Sequence, residues 1–190
     1  MARASLREKI VDAAVECFHA QGFNGCSVQD ITEAAGAPKG SFYNHFKTKE
    51  LLALEALTRY RKESRTAMLF EGDKPPLQRL RAHFEFLAER LEGWKFERGC
   101  MVSNFGAEMA DAYPDMRRAL AETLLVWSAN IASVLRQAQA AGDLSKDKDP
   151  ELFARFLVDA WEGAVNRARM VKSRAPFDEF LIVAFKALLA

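Results

Sequence analysis

Apolar residues at Leu6, Ile10, Ala13, Ala14, Cys17 and Phe18 recur at helical spacing, and Gly22 closes the run, which predicts a first helix. Ser27 offers an N-cap with Asp30 three residues on, and Val28, Ile31 and Ala35 supply the short apolar stripe of a second helix. That helix runs into Gly36, which can take positive φ without steric cost and so end it. A third, very short helix is expected at once, because Pro38 suits a first helical position. Phe42 and Phe46, at i and i+4, can anchor it to a core. Lys39, Ser41, Tyr43 and His45 then present a cation, a hydroxyl, a phenol and an imidazole on its other side. Three helices in this order, the last short and polar on one face, match a helix-turn-helix unit.

The pattern stays helical downstream. Thr48 can cap a long fourth helix running toward Phe70, before Gly72 and the Pro75-Pro76 pair interrupt it. Leu77, Leu80, Phe84, Leu87 and Leu91 form the next stripe, which ends near Gly93, and a loop with Trp94, Phe96 and Gly99 follows. Met101, Phe105 and Met109 share a face up to Tyr113-Pro114. Leu120, Leu124, Trp127, Ile131 and Leu135 mark a long helix ending at Gly142. Asp149-Pro150 opens a segment carrying Phe153, Phe156, Leu157, Ala160, Trp161, Ala164 and Ala168. Pro176 opens the last one, in which Phe180 to Phe185 (FLIVAF) is apolar at every position and fits a strand on local pattern alone. Asp178 and Glu179 at its start, Lys186 at its end and the lack of a partner strand make it a helix. Such a helix must be buried on more than one side. Beside the small-residue face Ala160, Gly163, Ala164 and Ala168, it predicts a helical pair packed on a second subunit; a fully buried core helix would satisfy the same pattern equally well.

Composition changes the picture in one respect. The chain has 190 residues, 49% of them hydrophobic and 28% charged, enough for a substantial core and unlike a disordered chain. The net charge of +1 is not that of a dedicated polycation, so contact with nucleic acid would rest on local charge. Lys39, Lys47 and Lys49 cluster around the third helix, and Arg3 and Arg7 lie near the N-terminus. Cys17, Cys26 and Cys100 form no CxxC pair, which favours a reducing compartment and gives no zinc signature; no metal or cofactor is expected. The N-terminus MARASLREKIVDAA has no continuous apolar stretch, and no apolar run approaches the roughly 18 residues of a membrane span. A cytoplasmic protein without a membrane partner is the expectation.

Cys100 is the candidate reactive group. It follows Arg98 and Gly99 and precedes a helix, so a cation and a helix N-terminus can both favour a thiolate open to electrophiles; isolated cysteines also serve as small buried hydrophobes. Cys17 reads as core, and Cys26, beside Ser27, lies where thiol chemistry would touch the second helix's cap. An enzyme would need Cys100 or one of His19, His45 and His83 as nucleophile or base, and no Ser/His/Asp or Cys/His spacing supports that.

The array Phe23, Ser27, Val28, Ile31, Ala34, Ala35, Gly36, Lys39, Gly40, Phe42, Tyr43, His45, Phe46, Lys49, Glu50 and Leu51 resembles the N-terminal domain of TetR/AcrR-family transcriptional regulators. The segments GCMVSNFGAEMADAYPDMR and DAWEGAVNRARMVKSRAPFDEF are similar to the C-terminal domain of that family's branch with the NemR electrophile sensors and AcuR regulators. The resemblance implies an all-α homodimer with a three-helix head, residues 1–47, and a six-helix ligand-binding and dimerisation body, residues 48–190. Carried over by position, Ser27 and its backbone would contact phosphate. Lys39, Ser41 and Tyr43, with Gly40 among the DNA-contacting positions, would face the major groove, and His45 and Lys49 would grip the backbone. Ala37 departs from the Val common there, a change expected to alter packing more than contact.

The implied mechanism is a repressor on a near-palindromic operator of double-stranded DNA. A small-molecule or electrophile inducer in the body would change the angle of the fourth helix, and with it the spacing of the two heads. Phe84, Phe105, Met109 and Trp127 are the candidate cavity residues and Cys100 the candidate sensor. The competing readings are a thiol-dependent enzyme and a DNA-binding protein whose body serves only to dimerise.

Overall fold

Eight α-helices, two 3-10 turns and a closing π-helical turn make up the described residues, 5–190, of a computed structural model; no strand occurs among them. Arg3 lies outside the described residues. The helices are α1 (Leu6–Gln21), α2 (Val28–Ala34), α3 (Lys49–Glu63), α4 (Pro76–Gly93), α5 (Met101–Met109), α6 (Pro114–Ala141), α7 (Pro150–Val171) and α8 (Ala175–Val183). Lys39–Asn44 and Thr66–Leu69 are the 3-10 turns, and Ala184–Leu188 is the π-helical one.

Most boundaries follow the expected chemistry. Gly22, Gly36 and Gly142 take φ of 77°, 63° and 84°, so each stops its helix in the left-handed region. The Asp149 side chain accepts from the N–H groups of Glu151 and Leu152 and opens α7 with Pro150 as its first residue. The segment Phe180 to Val183 is helical within α8, and the π-helical turn continues it through Phe185.

Two expectations need correction. Pro38 is not the first residue of a helix but the extended N-cap of the 3-10 turn, at φ −60° and ψ 138°. The fourth helix does not reach Phe70. It ends at Glu63, and Arg65, at φ 49°, turns the chain into the second 3-10 segment with neither Gly nor Pro to announce the break.

The chain divides into two compact units. The first comprises Met1–Glu63 and Cys100–Ala121. Its core sets Ile10, Val11, Ala14 and Phe18 of α1 with Leu52, Ala53, Ala56 and Leu57 of α3, each nearly or wholly removed from solvent. A fully buried Phe or Leu contributes about 1.5–3 kcal/mol. Arg7 pairs with Glu55, and Arg59 with Glu8 and Asp12, along the outside of the same pair of helices. Helix α5 belongs to this unit: Phe105 stands edge-on to Phe18 at 5.6 Å and to Phe23 at 6.4 Å.

The second unit, Ser64–Gly99 and Glu122–Ala190, is built on aromatic contacts. Phe84 of α4 lies 4.8 Å from Phe180 and 5.2 Å from Trp161, and Trp161 stacks on Phe177 at 5.0 Å. Between α7 and α8 runs an apolar groove of about 300 Å³ lined by Phe156, Ala160, Gly163, Ala164, Phe180 and Val183, among others. Phe156, Ile182 and Val183 remain about half exposed.

Candidate nucleic-acid interface

The first unit assembles the polar positions of residues 27–45. Ser27 and Asp30 form a reciprocal capping box: the Ser27 N–H donates to Asp30 Oδ2 at 2.8 Å, and the Asp30 N–H donates to Ser27 Oγ at 3.1 Å. Hydrogen bonds from the Ser27 side chain and backbone N–H hold the Asp30 carboxyl below its ordinary range. The turn is closed by the Gly36 N–H on the Glu33 carbonyl at 3.0 Å and the Ala37 N–H on the Thr32 carbonyl at 2.9 Å. Ala37 therefore contributes a backbone bond to the turn, whatever its side chain.

The 3-10 turn is fixed from inside. Phe42 is fully buried and Phe46 nearly so, with their rings 5.9 Å apart. The Ser41 N–H and hydroxyl both donate to the Pro38 carbonyl, at 2.9 and 2.6 Å. With the ring of Phe42 in the core, Tyr43 is directed outward, edge-on to Phe42 at 5.1 Å and 62% exposed. Lys39, Gly40 and His45 are exposed and Ser41 half-buried. A Cβ on Gly40 would meet no atom within 4 Å, so the backbone there is open to a partner. Lys39, Gly40, Ser41 and Tyr43 thus sit on one turn that Phe42 locks in the core, with His45 as its C-cap and Ser27 at the N-cap of α2.

Lys49 is the residue that sequence reasoning read incompletely. Its ammonium donates to the carbonyls of Phe23 at 2.9 Å and Cys26 at 3.0 Å and lies 4.0 Å from the centre of the Phe23 ring. Two of its three protons therefore brace the turn between α1 and α2. A lysine that donates to backbone carbonyls after a helix has no local sequence signal, because the partners lie 23 and 26 residues away. The neighbouring Lys47 is exposed.

The candidate ligand residues divide between the two units. Phe105 and Met109 are fully buried in the first, where Phe105 packs on Phe18 and Phe23 as core. Phe84 and Trp127 belong to the second, 6.1 Å apart. There the Trp127 indole N–H donates to His83 Nε2 at 3.1 Å. Cys100 is half-buried at the N-cap of α5 and its carbonyl accepts from the Asn104 N–H at 3.0 Å. Cys26 is fully buried, and burial together with the neighbouring Cys17 pushes its thiol up to about 12. Burial also raises the thiol of Cys17, which is half-buried rather than core. No helix among the described residues is long and apolar enough to cross a membrane.

Comparison with known proteins accounts for both parts of the chain. Residues 10–56 match the family "Bacterial regulatory proteins, tetR family", and residues 76–183 match "Tetracyclin repressor-like, C-terminal domain". The chain is 34% identical to the HTH-type transcriptional repressor DhaR of a Mycobacterium species, covering all of this chain and 95% of that one. It is 35% identical to the transcriptional regulator AcuR of Cereibacter sphaeroides, over 91% of this chain and 80% of the relative. A crystal structure of a regulatory protein TetR from Rhodobacter sphaeroides superposes with a TM-score of 0.89 at 33% identity, covering 96% of this chain and 98% of that one. The reduced form of Escherichia coli NemR superposes with a TM-score of 0.85 at 25% identity, covering 98% of each chain. The two family matches together cover most of the chain, and the chain belongs to the TetR family of transcriptional regulators.

Proposed function

We propose that this regulator is a homodimeric repressor that binds a near-palindromic operator and leaves it when an inducer occupies the body. The observation that carries the reading is the exposed phenol of Tyr43 above the buried ring of Phe42. A polar face on a rigid turn, with its phenol exposed, suits a DNA groove. Residues 1–47 would bind DNA and residues 48–190 the inducer and the second subunit. Ser27 would serve a phosphate, Lys39, Gly40, Ser41 and Tyr43 the major groove, and His45 and Lys49 the DNA backbone, Lys49 with its one remaining proton. The repressor names of DhaR and NemR favour repression over activation.

One head buries too little surface for tight specific binding, so two heads on two half-sites are required. The groove between α7 and α8, lined in part by half-exposed Phe156 and Val183, suits a second copy of the same surface. Inducer contacts are assigned to Phe84 and Trp127, and electrophile capture to Cys100 at the N-cap of α5. A compartment that keeps these thiols reduced, the cytoplasm, fits all of this.

Footprinting of the purified protein on DNA flanking its own gene tests the reading. Protection of one inverted repeat is expected, with two half-sites about one helical turn apart. No protected site, or protection by a monomer in sedimentation, would overturn it.

A further inference from the structure

We propose that the inducer carries a carboxylate, received by Arg79 Nε and His83 Nδ1 on one face of α4. The inference rests on the reading of the body as an inducer-binding domain and names the chemistry of its ligand. Arg79 and His83 stand at i and i+4, which places them on the same face of the helix, one turn apart. His83 is wholly removed from solvent, and neither its Nδ1 nor the buried Arg79 Nε has a hydrogen-bond partner among the described residues. Buried polar groups are otherwise satisfied almost everywhere in folded proteins, so two such atoms on side chains one helical turn apart call for a partner.

The protonation of the pair decides what that partner is. Indole nitrogen can only donate, so the 3.1 Å bond from Trp127 makes His83 Nε2 an acceptor. Burial pushes the imidazole down to about 4, so at neutral pH it carries a single proton, which must then be on Nδ1. Both unpartnered atoms are thus N–H donors, and the missing group is an acceptor. Arg79 already donates through Nη2 to Gln137 Oε1 at 2.6 Å, a neutral amide, and no carboxylate among the described residues pairs with its charge. An anion with two acceptor oxygens satisfies both donors and the guanidinium charge together. The rings of Trp127 and Phe84 lie 6.0 and 5.8 Å from the imidazole and supply an apolar wall, so the rest of the ligand is an apolar organic body.

Calorimetric titration of the wild-type protein with straight-chain monocarboxylates from acetate to octanoate, and with benzoate, provides the test, each acid paired with its primary alcohol and amine. At least one carboxylate should bind and raise Tm with concentration, while its alcohol and amine do not. Arg79→Met keeps the side-chain stem at a half-buried position, and His83→Phe keeps the ring; each should weaken that carboxylate at least about tenfold. Circular dichroism checks that each variant folds, and Arg79→Met alone decides the matter if His83→Phe does not. Failure of every carboxylate to bind, or equal binding by wild type and Arg79→Met, would overturn the proposal and leave water as the bridge. Operator binding is measured separately: specific DNA binding without carboxylate binding sinks this inference alone, and the reverse sinks the repressor reading alone.

Discussion

The carboxylate of Glu108 accepts the backbone N–H of Asn24 at 2.6 Å, joining α5 to the turn between α1 and α2 across 84 residues of chain. A Cβ on Gly22 would lie 2.0 Å from Oε1 of the same carboxylate. Gly22 is therefore required twice, by its φ of 77° and by this close approach. The contact fixes the chain just before the capping box that starts α2.

Replacing Gly22 by Ala should destabilise the first unit. Glu108 is flexible enough to swing aside, but only by releasing Asn24, so the variant loses a hydrogen bond as well as gaining left-handed strain. Together these cost about 1–3 kcal/mol, or roughly 2–10 °C in Tm. In a Glu108→Ala background the same substitution should cost less, because the clash and the bond are already gone. Strictly additive losses in thermal melts would show that the two residues act independently.

Tyr43→Ala should leave Tm within about 1 °C, since an exposed ring stabilises little. Specific operator binding should weaken by about 1–3 kcal/mol, with a smaller change on scrambled DNA. Fluorescence anisotropy on both duplexes measures the difference, and equal losses on the two would remove Tyr43 from base readout.

Lys47 and Lys49 lie two residues apart and should respond differently. Lys49→Met strips the Phe23 and Cys26 carbonyls of their shared donor, a loss of about 1.5–3 kcal/mol, so stability and DNA affinity fall together. Lys47→Ala should leave Tm unchanged and lower the slope of log affinity against log salt by about 0.9, the value for one phosphate contact. A stable Lys49→Met protein with only a reduced salt slope would restore Lys49 to a purely phosphate-facing role.

The elements that the sequence announced are those whose determinants sit within a few residues of each other. Gly22, Gly36, Gly142, the Ser27–Asp30 box and Asp149-Pro150 are local devices, and each acts where expected. The break after Glu63 carries no such residue: Arg65 adopts a left-handed φ of 49° that only the packing around it can enforce. Around the 3-10 turn Lys39–Asn44, Phe42 and Phe46 mark the buried side by spacing alone, whereas its 3-10 geometry depends on the doubly used Pro38 carbonyl. The bracing by Lys49 and the paired donors of Arg79 and His83 were not legible, because the groups that define them arrive from 23 to 58 residues away.

Cys26 and Cys100 should separate in a brief maleimide pulse at neutral pH. Cys26, buried and pushed up to about 12, should label only as fast as the first unit opens, which argues against direct thiol control of the α2 cap. Cys100, half-buried at the head of α5, should label first, with operator release on the same time course. Mass spectrometry that finds Cys26 labelled as fast as Cys100 would reverse the assignment.

His83 gives the second unit a pH dependence of known sign. The folded imidazole titrates at about 4 against an ordinary value of 6.5, because burial disfavours its charged form. Between those values the unfolded chain takes up a proton that the folded chain does not, so stability is fully present above about pH 6.5 and falls as the pH drops toward 4. A shift of that size is worth about 3 kcal/mol over the window. His83→Phe keeps the ring packed beside Phe84 and Trp127 and removes the titration, so its melting temperature should vary less between pH 6.5 and 4 than that of the wild type. Parallel pH profiles for the two proteins would mean that the imidazole is already hydrated in the folded state, and with that the case for an unpartnered donor at Nδ1 would fall as well.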